Sequence, residues 1–230
     1  MNAKFSGVLR ARRIAGFVPV IPDIKCTSPG EGDLLRGRDP VEAAALLRDA
    51  GAPALSVVTE PVNFGGSLAL LERIVRATGL PVLRKDFIEN PDDVRRTRDA
   101  GADAMLLMCA TLTEDALTEL YEVALACGLE PLVEAHTPEE LRFAGRLGTK
   151  LIGINNRDIL RLEKDGGGVA TTTALAYAAP SGALLVSESG LLGPDDVRAA
   201  ISAGAHAVLV GTAIWRAADM RDFYESLCQL

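Results

Sequence analysis

The chain has 230 residues, 48% hydrophobic and only 4% aromatic, with 31 acidic against 24 basic side chains and a formal charge of −7. That size suits one well-buried core, while the acidic balance, with no basic stripe, excludes a nucleic-acid backbone as partner. No apolar run approaches the roughly 20 residues that span a membrane, and the four cysteines, Cys26, Cys109, Cys127 and Cys228, form no CxxC pair, so they read as reduced thiols of a cytoplasmic protein rather than a zinc or redox site.

Lys4, Arg10, Arg12 and Arg13 precede an apolar run from Ile14 to Ile21, but Pro19 interrupts it and Asp23 and Lys25 follow directly, so the run is not a leader peptide. A first strand is expected from Val18 to Lys25, then a helix from Pro40 to Ala50 and a strand from Ala54 to Val58. The helical pattern Ser67 to Thr78 leads to a strand Pro81 to Lys85, and Pro91 to Ala100 leads to a strand Ala104 to Met108. Helix Glu114 to Cys127 is followed by strand Pro131 to Ala135, and helix Pro138 to Leu147 by strand Leu151 to Asn155. The last strands are Ala183 to Ser187 and, after a helix from Pro194 to Ala203, Ala207 to Val210. Such alternation is the pattern of parallel βαβ units, and eight strands imply closure, so the expected fold is a single-domain α/β protein, a (βα)8 TIM barrel over residues 1–230.

Punctuation supports these boundaries. Asp39, Asn90 and Thr137 each stand before a proline as N-cap residues, and the phrases "DAGAPA", "DAGADA" and "SAGAHA" put glycine just past a helix end. "DGGG", Asp165 to Gly168, marks a candidate functional loop after the sixth strand.

Charged and polar residues gather at the expected strand ends: Asp23 and Lys25, Lys85 and Asp86, Glu134, Asn155 with Arg157, and Glu188 with Ser189. In a barrel these ends share one mouth, and lysines beside carboxylates there suit acid–base chemistry. Gly190 after the seventh strand, and Gly211 with Thr212 after the eighth, fit a phosphate site, because glycine lets the backbone approach and a helix start supplies N–H donors. Phe64, Phe87 and Leu107 are read as an apolar wall for an aromatic ring. His136 either orients Glu134 or lies on the surface.

The blocks "DIKCTSP", "SVVTEPVNFGGSL", "LPVLRKDFI", "AGADAMLL", "LVEAHTPEEL", "LIGINNRDI", "VSESGL" and "AVLVGTAIWRA" resemble, in order, those of indole-3-glycerol phosphate synthases. The resemblance implies conversion of 1-(2-carboxyphenylamino)-1-deoxyribulose 5-phosphate to indole-3-glycerol phosphate in tryptophan synthesis, a carboxy-lyase reaction with no metal or organic cofactor. It implies Lys85 as general acid, Lys25 as a substrate contact assisting dehydration, and Glu134 as base or cation stabiliser, with Asp23 beside them. Asn155, Glu188 and Ser189 would position substrate, Arg157 would support the mouth, and Ser28, Gly190, Gly211 and Thr212 would hold phosphate. The implied partner is that small phosphorylated substrate, with neither nucleic acid nor membrane; contact with other tryptophan-pathway enzymes is left open.

Against the family pattern, Asp23 stands where glutamate is usual, Gly30 where a serine is usual, and the segment before the first strand is short, which implies a more open mouth. The alternatives are a paralogue acting on a modified arylamino-sugar phosphate, a non-catalytic phosphate-binding barrel, and a phosphoribosylanthranilate isomerase using Cys26, which the "LRKDF" block disfavours.

Overall fold

The computed structural model describes residues 5–157 and 168–229. Eight strands alternate with helices: β1 (Val20–Ile24), β2 (Leu55–Val58), β3 (Val82–Lys85), β4 (Ala104–Met108), β5 (Glu130–Ala135), β6 (Leu151–Asn155), β7 (Leu184–Glu188) and β8 (Ala207–Val210). Each pairs in parallel with its neighbours, and β1 closes the ring by pairing Val20 with Val208 on one side and Asp23 with Ser56 on the other. The expected (βα)8 barrel is therefore the fold.

The six expected helices are present as α2 (Pro40–Asp49), α3 (Leu68–Thr78), α4 (Pro91–Asp99), α5 (Glu114–Ala126), α6 (Pro138–Arg146) and α8 (Pro194–Ser202). Asp39, Asn90 and Thr137 cap three of them with side-chain oxygens, and Thr137 forms a full capping box with Glu140. Gly51, Gly101 and Gly204, the glycines of the repeated phrase, sit at φ of 95°, 86° and 114°, where a side chain would be strained.

Alternation along the strands sorts the core into layers. One parity points inward, giving a central cluster that includes Ile21, Leu83, Leu106, Leu132, Val186 and Leu209. The other parity faces the helices, where Val57, Met105, Leu107, Val133 and Ile154 pack.

Among the described residues four further α-helices follow, α1 (Phe5–Ile14), α7 (Ala170–Leu175), α9 (Thr212–Arg216) and α10 (Met220–Leu227), with a 3-10 turn at Ala176–Ala178. The short helix after Gly211 was expected; α1, α7 and α10 were not. Helix α1 accounts for the segment ahead of β1. Phe5 and Leu9, one turn apart and both fully buried, join the central cluster. The Ser6 N–H lies 3.3 Å from the Glu130 carboxylate at the start of β5, and Arg10 donates to the Gly182 carbonyl just before β7. The segment thus plugs the floor of the barrel, at the opposite end from the mouth. Truncating a buried leucine there costs about 2–5 kcal/mol, so Leu9→Ala should lower thermal and denaturant stability by that amount while leaving ligand affinity at the mouth unchanged; equal loss of both would show that the floor and the mouth are one unit.

Candidate active site

Inward parity brings Asp23 and Lys25 of the first strand region, Lys85, Glu134, Asn155 and Glu188 to the C-terminal end of the barrel, where the sequence predicts them. At the centre, Lys85 Nζ lies 3.2 Å from Glu188 Oε2 and 3.6 Å from Glu134 Oε2. Both carboxylates are fully buried, whereas the lysine is 13% exposed. Glu188 fits only because β6 carries glycine opposite it: a Cβ at position 153 would lie 1.9 Å from Glu188 Oε1. Burial, with Glu134 and Asp23 nearby, outweighs the Lys85 ammonium and pushes the Glu188 carboxyl up to about 7.

Asp23 is anchored beside them. Ser56 Oγ donates to its Oδ1 at 2.6 Å, and Trp215 Nε1 donates to its backbone carbonyl at 2.9 Å. A hydroxyl from the neighbouring strand thereby holds this shorter carboxylate in place. Burial and then Asp33 push the Cys26 thiol up, which disfavours the thiolate.

Two clefts open above this cluster. One, of about 380 Å³, is lined by Asp23, Lys25, Lys85, Asp86 and Glu60 with Val58, Phe64, Phe87, Leu106 and Met108. Lys25 Nζ sits 5.6 Å above the Phe64 ring. The expected apolar wall is thus present with one correction: Leu107 has the outward parity and packs in the helix layer, and its neighbours Leu106 and Met108 face the cleft. Asp86 is drawn partly outward, where Arg84 and Thr59 donate to it.

The second cleft, of about 410 Å³, is lined by Arg157, Ser189, Gly190, Gly211 and Thr212 together with Asp23, Lys25 and Lys85. Ser189 and Gly190 take consecutive left-handed conformations, φ 64° and 74°. A Cβ on Gly190 would meet the Gly168 carbonyl at 2.7 Å, so the close approach of these loops needs glycine. Arginine, lysines and glycine-rich backbone give this side of the mouth the chemistry that suits an anion. Ser28, by contrast, is buried in a short ladder pairing Thr27–Ser28 with Gly32–Asp33 and lines neither cleft. Of the "DGGG" loop only Gly168 lies among the described residues; Asp165–Gly167 fall outside them.

Two residues that sequence reading does not single out organise these walls. Glu60 accepts backbone N–H bonds from Val62, Asn63 and Phe64, fixing the loop that presents Phe64. Asn156 donates to Ser187 Oγ and to the carbonyls of Glu188 and Ser189, and accepts from Thr172 N, holding the loop after β7 in its left-handed turn. Only the "INNRD" block hints at the second.

A carboxyl whose pKa rises on folding binds more protons folded than unfolded, so Glu188 favours the fold at acidic pH and costs stability as pH climbs from 4.5 toward about 7. Glu188→Gln should therefore flatten the fall in unfolding free energy across that window, measured by denaturant melts at several pH values; an unchanged slope would show that Glu188 is not the titrating group.

The family model of indole-3-glycerol phosphate synthase matches residues 2–227. Indole-3-glycerol phosphate synthase of Thermococcus kodakarensis is 43% identical over 224 residues, covering 97% of this chain and 98% of that protein. That of Pyrococcus furiosus is 43% identical over 92% of each chain, and that of Leifsonia xyli 45% identical over 87% of this chain and 76% of its own. With matches of this extent spanning every strand of the barrel, the chain belongs to the indole-3-glycerol phosphate synthase family.

Proposed function

We propose that this chain closes the indole ring of 1-(2-carboxyphenylamino)-1-deoxyribulose 5-phosphate, with loss of carbon dioxide and water, as its family membership implies, and that it does so as one domain in the cytoplasm. The observation that carries the reading is Lys85, held between two buried carboxylates exactly where an apolar cleft meets an anion-binding one. The first cleft suits an aromatic ring and the second a phosphate, so a substrate spanning both lays its ketone across the ammonium.

On this reading Lys85 protonates the ketone oxygen as the ring carbon attacks. Lys25, against Phe64, holds the substrate carboxylate and assists the later dehydration, and Asp23 with Ser56 fixes that lysine's surroundings. Glu134 and Glu188 line neither cleft and reach them through Lys85, so they act by stabilising its charge and by exchanging protons with it, with Asn155 beside them. Ser189, Gly190, Gly211 and Thr212 hold the phosphate, and Arg157 adds charge at the same rim.

The paralogue and non-catalytic readings are not favoured, because the family match covers nearly the whole chain and both lysines and Glu134 are retained. The test is production of indole fluorescence from the carboxyphenylamino-deoxyribulose phosphate, run beside Lys85→Ala. Removing a general acid should lower kcat by roughly 10²–10⁴-fold with little change in KM. Absence of turnover in the wild-type protein at high concentration would reject the synthase reading.

A further inference from the structure

Beyond Glu134 a line of titratable groups runs outward from the cluster, and the roles above do not use it. Glu134 Oε1 lies 3.6 Å from His136 Nε2, and the other ring nitrogen lies 3.8 Å from Glu140 Oε2 at the start of α6. The imidazole is 18% exposed and Glu140 23%, whereas Glu134 is fully buried. Among the described residues, neither oxygen of Glu134 and neither ring nitrogen of His136 has a hydrogen-bond partner, although all four atoms are out of contact with solvent. Orphaned buried polar atoms are uncommon and call for a function.

We propose that His136 is a positioning residue that passes protons between Glu140 at the rim and the buried Glu134, and thereby restores the proton that Lys85 gives up during each turnover. The inference rests on the synthase reading, and the proton balance of that reaction requires such a supply. Ring closure forms a carbon–carbon bond and places one proton on the ketone oxygen. Breaking the bond to the carboxylate releases carbon dioxide and leaves its electron pair in the ring. Loss of water then places a second proton on the departing hydroxyl, while one proton leaves the adjacent methylene carbon. Two protons enter and one departs, so each turnover takes up one proton, at a lysine whose mouth the substrate itself fills.

The groups around this line fit a proton path. Glu134 is faced by Lys85 from β3, Glu188 from β7 and His136 from its own loop. Glu140 accepts the backbone N–H groups of His136, at 2.5 Å, and of Thr137, which fixes its carboxylate beside the ring. Cys109, at the end of β4, lies within electrostatic reach of Glu140, Glu134 and Glu114; burial and then those carboxylates push its thiol up to about 12, so it stays protonated. Imidazole is the side chain suited to gaining and losing protons near neutral pH, and separations of this size commonly tighten once substrate is bound.

Wild-type turnover tests the synthase reading alone; the histidine is then tested on an enzyme that works. His136→Ala should lower the single-turnover rate about 10-fold or more, with KM within about two-fold of wild type, and the loss should grow as pH rises. Added imidazole should restore the rate in proportion to its protonated fraction while leaving the wild type unaffected. Glu140→Gln keeps the capping hydrogen bonds but removes the carboxylate, so it should give a smaller loss with the same pH trend, and it carries the test by itself if His136→Ala fails to fold. Unchanged rates and pH profiles in these variants, or an alanine variant whose loss imidazole does not restore, would overturn the proposal.

Discussion

Two carboxylates share one ammonium at the axis of this barrel, and both are out of water. Taking charges from solvent costs several kcal/mol per ion, and removing one partner of such a set costs about 3–5 kcal/mol, because the others are left uncompensated. The surrounding structure meets this constraint in several ways. Strand alternation aims Lys85, Glu134 and Glu188 at a common point, glycine at position 153 makes room for Glu188, and Ser56 and Trp215 hold the Asp23 segment. Below, α1 seals the floor, so the interior between plug and ammonium is apolar. That dry interior is also what pushes Glu188 toward a neutral pKa and makes it a ready partner for proton exchange.

Above the constraint, the mouth divides by chemistry. Phe64, Phe87, Leu106 and Met108 give one side a surface for a flat apolar group, and Arg157 with the glycine-bearing loops gives the other a surface for an anion. Both clefts include Asp23, Lys25 and Lys85, so a ligand occupying both meets all three side chains. Loops set these walls with backbone hydrogen bonds to Glu60 and Asn156.

Much of this was legible in the sequence. Strand positions agree with the structure to within two residues, since apolar runs bounded by proline and glycine leave little latitude, and the strand-end charges mark the mouth directly. Leu107 was misjudged by a single position, which in a strand means the opposite face; counting alternation from Glu134 and Lys85 outward to their neighbours would have chosen Leu106 and Met108. Helix α7 was hidden by its three threonines, weak helix formers, and α1 by an arginine-rich stretch whose apolar anchors, Phe5 and Leu9 with Val8 beside them, pack into the central cluster formed by distant strands. Asn156 acts on residues 31 to 33 positions away, which no local spacing announces, whereas Glu60 and Ser28 make contacts within their own loops, whose turns carry no periodic signal.

The proposed chemistry depends on the seating of Glu188 against Lys85. The measurement that addresses it most directly is the structure and single-turnover rate of Gly153→Ala, whose added methyl group occupies the place of Glu188 Oε1. The expected result is a folded barrel with Glu188 displaced, substrate affinity near wild type and a rate lowered about 10²-fold, as misplacement by about 1 Å commonly does. A wild-type rate in a variant whose Glu188 has moved would contradict it.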